Sequence, residues 1–269
     1  MVHKFLRFTR DSLCVTLSFV PTLLSRSENV ILTYHSIGFD GIFDTVELKD
    51  FIRQLDYLKK NYMIVPLVEM LKCIGARATH AKRMVSITFD DGYQDFYQVV
   101  FPLLRKNNLP ATVFVATDYV GKEWPFVSNH PKMLTWEQIN EISNNNIEIG
   151  AHTLSHPNLQ KKRLEDADCE IRKSKEEIEK HIDRSVSFFS YPFGRYKPEI
   201  VDIVKSAGFK GGVGGKGTIQ KDAQIFVLNR IQVDSSISFN LFKARLTKAV
   251  DMIAMIEEPA QKLLKYLRR

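Results

Sequence analysis

Cysteine is scarce in this sequence, whose 269 residues include only Cys14, Cys73 and Cys169. The three are widely separated, odd in number, and absent from any CxxC pair. The sequence therefore predicts neither a disulfide framework nor a thiolate zinc site. This scarcity is consistent with a reducing compartment but does not require one, because many exported enzymes also lack disulfides.

Long apolar runs are lacking too. The best candidate, residues 13–24, has Asp11 just before it and Pro21 within it, and it is shorter than the roughly 20 residues that cross a bilayer. Basic residues precede it as in a signal peptide, but no small-residue cleavage site follows. We expect residues 1–29 to form a helix packed on the domain or resting on a membrane surface, with a signal peptide as the alternative. The expected location is cytoplasmic or peripheral to the membrane, and export stays open.

The charge balance is basic, with a formal net charge of +7, which favours anionic partners. No zinc-finger, RNP-type or other nucleic-acid signature accompanies it, so we predict no nucleic-acid partner. Residues 259–269 form a basic amphipathic tail that can make peripheral membrane contact or pack as a solvated terminal helix on its own domain.

Internal repeats, low-complexity tracts and Gly/Ser linkers are absent, which predicts a single domain over residues 30–258. Amphipathic stretches at 48–60 and 165–181 predict helices between strand-like runs. Most of these runs are continuously apolar, as in parallel strands buried on both faces. About seven strands alternating with helices favour an α/β barrel, with a doubly wound open sheet as the rival. The strand-like runs are 30–34, 84–89, 112–116, 147–151, 185–191, 209–213 and 226–231, of which 209–213 is weakened by two glycines.

Polar residues follow four of these runs: His35, the pair Asp90 and Asp91, His152, and Pro192. In α/β barrels the catalytic residues lie at the carboxyl ends of the strands. We therefore expect these positions to share one mouth of the barrel.

The Asp90-Asp91-Gly92 run suits a site because successive side chains leave a strand in opposite directions. One carboxylate can then bind a metal while the other faces a substrate, and Gly92 permits the tight turn. Alone, the run is equally typical of a turn or a helix N-cap.

His152 and His156 are four residues apart, so a helical turn would place both imidazoles on one side. A pair of surface histidines is the alternative. Two imidazoles and one carboxylate leave positions open on a metal, as catalytic sites require. We expect one divalent metal ion, with Zn²⁺ preferred and Co²⁺, Ni²⁺ or Fe²⁺ also suited to these ligands.

Three motifs occur in order: TFDDG at 88–92, HTLSHP at 152–157 and SYPFG at 190–194. Together they resemble those of the polysaccharide deacetylase (NodB-homology) family, also called carbohydrate esterase family 4, and the resemblance covers about residues 30–236. It implies a distorted seven-stranded (β/α) barrel. It also implies metal-dependent removal of N-acetyl groups from amino sugars of a polysaccharide, oligosaccharide or lipid-linked glycan, such as those of the cell envelope.

Carried over to this sequence, the resemblance implies Asp90 as the general base. Asp91, His152 and His156 become the metal ligands, and the backbone N–H of Phe193 becomes a donor to the developing oxyanion.

Two departures from the family pattern concern the remaining roles. Ser190 stands where the family has an arginine, and no histidine follows His181 to act as the usual late general acid. The run LTYH at 32–35 resembles the early Tyr-His of poly-N-acetylglucosamine deacetylases, whose motif order is circularly permuted. This implies His35 as the general acid. The alternatives are that His35 has a structural role or that the whole protein is catalytically silent.

Arg230 is the candidate to replace the missing arginine by pairing with Asp90, and a surface salt bridge is the alternative. Sugar rings stack on aromatic faces, so Tyr93 and Trp124 are candidate substrate residues. Tyr191 and Phe193, in the SYPFG motif, are further candidates for the substrate and oxyanion site through the resemblance. Trp136 is expected in the core, one residue after Thr135 as a helix N-cap.

The expected partner is an N-acetylated glycan. An O-acetyl esterase or non-sugar amidase of the same fold, and a silent glycan-binding domain, are the alternative functions. The motifs do not predict the glycan linkage or the oligomeric state.

Overall fold

The computed structural model describes residues 29–38, 44–75, 83–216, 219 and 224–247, together with residues 12, 15 and 16. The basic tail at 259–269, the domain boundary at 258 and most of the N-terminal segment 1–29 lie outside these residues. Within the described ranges, no helix is both long and apolar enough to cross a membrane.

The described residues contain eight strands that pair in parallel in one sheet. The order β1-β8-β7-β6-β5-β4-β3-β2, with an additional pairing of β1 and β3, closes seven of them into a barrel. The predicted seven-stranded α/β barrel is confirmed, and the sheet is not open. The strands are β1 (Asn29–Tyr34), β2 (Met63–Ile64), β3 (Met84–Phe89), β4 (Ala111–Val115), β5 (Ile147–Ala151), β6 (Phe188–Ser190), β7 (Gly211–Lys216) and β8 (Leu228–Gln232).

The barrel is irregular on two sides. One edge of β3 pairs with β2 near its start and with β4 near its end, through Met63 with Met84 and Thr88 with Thr112. Between β5 and β6 the register contains a single pair, Ala151 with Phe189. Strand β2 was not predicted from the sequence, because a strand of two residues is too short to show a periodicity.

Seven α-helices accompany the strands in the described residues. The predicted helices 48–60 and 165–181 agree with α1 and α5 to within a residue at each end. Thr135 caps α4 as predicted, because its side chain accepts from Gln138 N and the Gln138 side chain accepts from Thr135 N. The helices are α1 (Leu48–Asn61), α2 (Leu67–Gly75), α3 (Phe101–Lys106), α4 (Trp136–Ser143), α5 (Leu164–Ile182), α6 (Pro198–Ser206) and α7 (Phe239–Arg245).

Helix α2 packs against the apolar interior of the barrel. Its residues Leu67, Met70 and Cys73 form one buried cluster with side chains from six strands, among them Phe114 and Phe188. A layer of buried polar side chains, including Thr88, Ser190 and Arg230, lies toward the carboxyl ends of the strands. The apolar cluster and α2 therefore close one end, and the site lies at the other.

Strand β7 runs from 211 to 216, three residues beyond the end of the predicted run 209–213. Its glycines are required by close neighbours. A Cβ at Gly214 would lie 2.8 Å from the Tyr191 ring, and one at Gly212 would lie 2.4 Å from the Phe226 carbonyl oxygen. Close approach, rather than weak strand character, therefore explains the glycines that interrupt this run.

Candidate metal centre and active site

Asp91, His152 and His156 converge at the mouth of the barrel. Asp91 follows β3 and His152 follows β5. The two histidine Nε2 atoms are 3.1 Å apart, and they lie 3.5 Å and 3.4 Å from Asp91 Oδ1. The structure thus brings together the three predicted ligands, and all three side chains are buried.

The spacing of these atoms fits a bound divalent cation. Ligand atoms that lie about 2.0–2.1 Å from a tetrahedral Zn²⁺ are about 3.4 Å from one another, close to the distances found here. Asp91 Oδ1 is buried and accepts no hydrogen bond within the described residues, which is costly for a carboxylate without a cation. One carboxylate and two imidazoles also suit Co²⁺, Ni²⁺ and Fe²⁺, so the donor set fits a metal without selecting one.

His152 is held in the tautomer that a metal ligand needs. Its Nδ1 lies 2.7 Å from the Ser190 carbonyl oxygen, and since a carbonyl only accepts, Nδ1 carries the proton. The Nε2 lone pair then points toward Asp91 and His156. Burial and the neighbouring His152 lower the pKa of His156 to about 4, so this ring is neutral and able to bind a cation at neutral pH.

The histidine pair does not lie on a helical turn, which corrects the geometry expected from its spacing. Residues 152–156 form a loop in which Thr153 and His156 have positive φ angles of 67° and 55°. The His156 N–H donates to Thr153 Oγ1 at 3.0 Å and stabilises this fold of the loop. The left-handed backbone, rather than a helix, turns both imidazoles toward Asp91.

Glu170, on α5, fastens the segment between the two histidines. Its Oε2 accepts hydrogen bonds from Leu154 N at 3.0 Å and Ser155 N at 2.9 Å, and its Oε1 accepts from Ser155 Oγ at 2.5 Å. This residue was not predicted from the sequence, because a glutamate on a charged helix resembles a solvated position. The signal was its spacing: Ala167, Glu170 and Ile171 share the buried face of α5.

Asp90 forms a bidentate ion pair with Arg230. The guanidinium donates to Oδ1 at 2.7 Å and to Oδ2 at 2.6 Å, and the same guanidinium reaches Ser190 Oγ at 3.0 Å. Burial alone would raise the pKa of Asp90, but the adjacent Arg230 charge outweighs it and holds that pKa well below its usual range. The carboxylate is therefore ionised at neutral pH. This contact is the one predicted for Arg230, and it is buried rather than a surface salt bridge.

His35 follows β1 next to the aspartate pair. The Asp90 N–H donates to the Tyr34 carbonyl at 2.9 Å, and a charge on His35 acts on both Asp90 and Asp91. Its buried Nδ1 makes no hydrogen bond within the described residues.

The loop after His35 is tied to Asp95, which accepts from Ser36 Oγ and, at 3.2 Å, from the Ile37 N–H. Asp95 is a second residue of the site region that the sequence motifs do not indicate.

The four predicted aromatic substrate residues differ in exposure. Tyr93, Trp124 and Tyr191 are buried, whereas Phe193 is 58% exposed and contacts the His156 ring at 4.6 Å between centroids. Burial, then the charge of Asp91 and a hydrogen bond to it, raises the pKa of Tyr93, so Tyr93 supports a metal ligand. Stacking requires a free aromatic face, and of these four residues only Phe193 offers one.

The sequence model of the polysaccharide deacetylase family matches residues 77–212. The YxkH protein of Bacillus subtilis, described as a polysaccharide deacetylase, is 30% identical over 80% of this chain and 74% of its own length. This chain belongs to the polysaccharide deacetylase family.

Further relatives place it within that family, which is the NodB-homology family. The poly-β-1,6-N-acetyl-D-glucosamine N-deacetylase of Staphylococcus aureus is 25% identical over 62% of this chain, which spans 60% of that relative's length. The deacetylase PplD of Streptococcus pyogenes, solved with acetate, superposes with a TM-score of 0.71 at 26% identity over 82% of this chain and 99% of that one. IcaB of Ammonifex degensii, at 24% identity over 81% and 97%, has the same fold with a TM-score of 0.74.

Proposed function

We propose that this deacetylase removes N-acetyl groups from amino sugars of a glycan by metal-dependent hydrolysis. The observation that carries the proposal is the pairing of two carboxylates with different partners at one barrel mouth: Asp91 with two imidazoles, and Asp90 with Arg230. Family membership supports deacetylation as the reaction. The N-deacetylase relative from Staphylococcus aureus supports an N-acetylated sugar as the substrate.

The two aspartates divide the work. When bound, a divalent cation supplies Lewis-acid polarisation of the acetyl carbonyl and lowers the pKa of water. Asp91, His152 and His156 would hold it. Asp90 accepts a proton from the attacking water, and Arg230 keeps its carboxylate ionised and oriented.

Two further groups complete the reaction. The backbone N–H of Phe193 donates to the oxyanion that develops on the acetyl oxygen. His35 donates a proton to the amine that leaves, since amine is a poor leaving group without one. The position of His35 beside Asp90 and its resemblance to the early histidine of the permuted subgroup support this role.

The cation we propose is Zn²⁺, with Co²⁺, Ni²⁺ or Fe²⁺ as substitutes. The substrate is a polysaccharide, oligosaccharide or lipid-linked glycan, acted on in the cytoplasm or at the membrane periphery.

Acetate release from the Zn²⁺-loaded protein tests this function. N-acetylglucosamine oligomers should release acetate faster than acetylated xylan does. Asp90→Asn and His35→Ala should each lower kcat by about 10²–10⁴-fold. His181→Ala is the matched control, because His181 is exposed and stacks on Trp136 away from the site.

Faster release from xylan would show an O-acetyl esterase instead. Full activity of Asp90→Asn would contradict the proposed mechanism, and full activity of His35→Ala would remove that residue from the role of acid.

A further inference from the structure

Two exposed phenylalanines flank one metal ligand. Phe193 and Phe126 are 58% and 55% exposed, and the other exposed large apolar side chains of the described residues reach at most 43%. Both rings contact His156, at centroid distances of 4.6 Å for Phe193 and 5.9 Å for Phe126. Adjacent exposed apolar side chains of this kind often mark a ligand-binding groove.

Phe126 lies on a hairpin after β4 that is firmly built. The Trp124 N–H donates to the Pro131 carbonyl at 2.8 Å, and the Met133 N–H donates to the Lys122 carbonyl at 2.9 Å. The hairpin also pairs with the loop after the aspartates, since the Leu134 N–H donates to the Gly92 carbonyl at 2.9 Å. The hairpin that carries Phe126 is therefore hydrogen-bonded to the residue that follows the candidate ligand Asp91.

The Phe126 ring rests on buried aromatic side chains. Its edge-to-face contacts with Trp124 and Tyr119 have centroid distances of 5.0 Å and 5.6 Å. Trp124 is buried and in turn contacts the His156 ring at 5.2 Å. This support fixes one side of Phe126 against the protein and leaves more than half of the residue available to a ligand.

We propose that Phe126 is a specificity-determining residue that stacks on the apolar C–H face of a sugar ring next to the scissile acetamide. The nature of this ligand rests on the proposed function. A pyranose presents a flat C–H face with hydroxyl groups around its edge, which matches an exposed aromatic ring beside polar groups. Aromatic walls with a few placed polar groups are typical of small-ligand sites. The residue thereby favours glycans over small acetyl compounds that lack a sugar ring.

The binding test uses the Zn²⁺-loaded Asp90→Asn variant, in which hydrolysis should be about 10²–10⁴-fold slower, and calorimetry with an N-acetylglucosamine oligomer. Adding Phe126→Ala should weaken Kd about tenfold, as truncation of a buried interface aromatic commonly does. Phe126→Trp should restore the affinity. Ile52→Ala, an exposed apolar position on α1, is the control that should bind normally. Equal Kd values with and without the Phe126 ring, or no binding by Asp90→Asn itself, would overturn the proposal.

The selectivity test uses the protein with Asp90 intact. The ratio of kcat/KM for the oligomer to kcat/KM for 4-nitrophenyl acetate should fall about tenfold in Phe126→Ala, through KM for the oligomer. An equal loss on both compounds would show a structural role and overturn the proposal. If the oligomer binds through Phe126 but no acetate is released, the proposed function fails while the sugar subsite stands.

Discussion

At the scale of single residues, four of the nine non-glycine residues with positive φ in the described part of the chain lie around the candidate metal site. Asp91, Thr153, His156 and Phe193 all have positive φ angles, between 55° and 71°. Such conformations cost about 1–3 kcal/mol each for side chains of this kind and persist only where neighbours enforce them. Thr153 is the clearest case, because a β-branched residue rarely adopts this region. The neighbours that enforce the strain therefore matter as much as the ligands.

Glu170 is one of these neighbours, and its replacement should loosen the metal site. In Glu170→Gln the side chain loses its charge and one of its acceptors, so the segment between His152 and His156 is held less firmly. We expect Zn²⁺ affinity to fall about 10–100-fold, as for other supports of metal ligands.

Competition with a chromophoric chelator measures this affinity directly. Glu176→Gln, an exposed position on the same helix, is the control. Unchanged affinity in Glu170→Gln would show that the loop keeps its shape without this carboxylate.

Motif spacing, together with the family resemblance, was sufficient to predict that Asp91, His152 and His156 lie close to one another beside Asp90, because all three motifs follow strands of one barrel. Glu170 and Phe126 belong to no motif. Glu170 lies on the helix that follows the histidine loop and Phe126 lies on a hairpin, and neither contact with this loop can be recognised from the sequence pattern.

At the scale of secondary-structure elements, one buried carboxylate connects the barrel wall to α2. Glu148 on β5 accepts hydrogen bonds from Leu67 N at 2.8 Å, Val68 N at 3.3 Å and Thr112 Oγ1 at 2.9 Å. The two N–H groups belong to the first turn of α2, where backbone N–H groups have no acceptor within their own helix. Glu148 therefore both caps this helix and fixes it against the barrel.

Removal of this cap should destabilise the fold. Glu148→Ala leaves two helix N–H groups without an acceptor, at a cost of about 1–3 kcal/mol. The melting temperature should fall by about 2–4 °C per kcal/mol for a domain of this size.

The same residue predicts a pH dependence. Burial, only partly offset by its hydrogen bonds, raises the pKa of Glu148. The folded state then binds a proton more tightly than the unfolded chain, so this residue's contribution to stability is largest below the ordinary glutamate pKa and declines as pH rises. The melting temperature of wild type minus that of Glu148→Gln should decrease from pH 4 to pH 8. An increase over that range would contradict the assigned direction, and Glu165→Gln is the exposed control.

The boundaries of the strands show where a sequence pattern is enough to predict an element and where it is not. The runs 84–89 and 147–151 agree residue for residue with β3 and β5, because polar loops bound short apolar segments there. The run 185–191 contains only the three residues of β6. The flanking residues Val186 and Tyr191 are apolar and buried, yet they lie outside the strand, and tertiary packing of that kind leaves no periodic signal.

At the scale of the whole molecule, the apolar packing that stabilises the barrel and the candidate site lie at opposite ends of the barrel. The closed sheet is apolar where α2 packs and polar beneath the site, where Thr88, Ser190 and Arg230 surround Asp90. The alternation of strands and helices predicted this architecture, since parallel strands need covering helices. It could not predict the incomplete β5–β6 pairing, which depends on how individual side chains pack across the barrel.

A metal that bridges loops after β3 and β5 should stabilise the entire fold. The folded protein binds the ion at a formed site and the unfolded chain does not, so free Zn²⁺ at 100 times Kd adds about 2.7 kcal/mol. At about 2–4 °C per kcal/mol, the melting temperature should rise by roughly 5–10 °C over the chelated protein. His152→Ala removes a ligand and the bond to the Ser190 carbonyl, so most of this rise should vanish, whereas His181→Ala should retain it. A full Zn²⁺-dependent rise in His152→Ala would mean that the ion binds elsewhere, because the stabilisation depends on the affinity of the site and that affinity requires its ligand side chains.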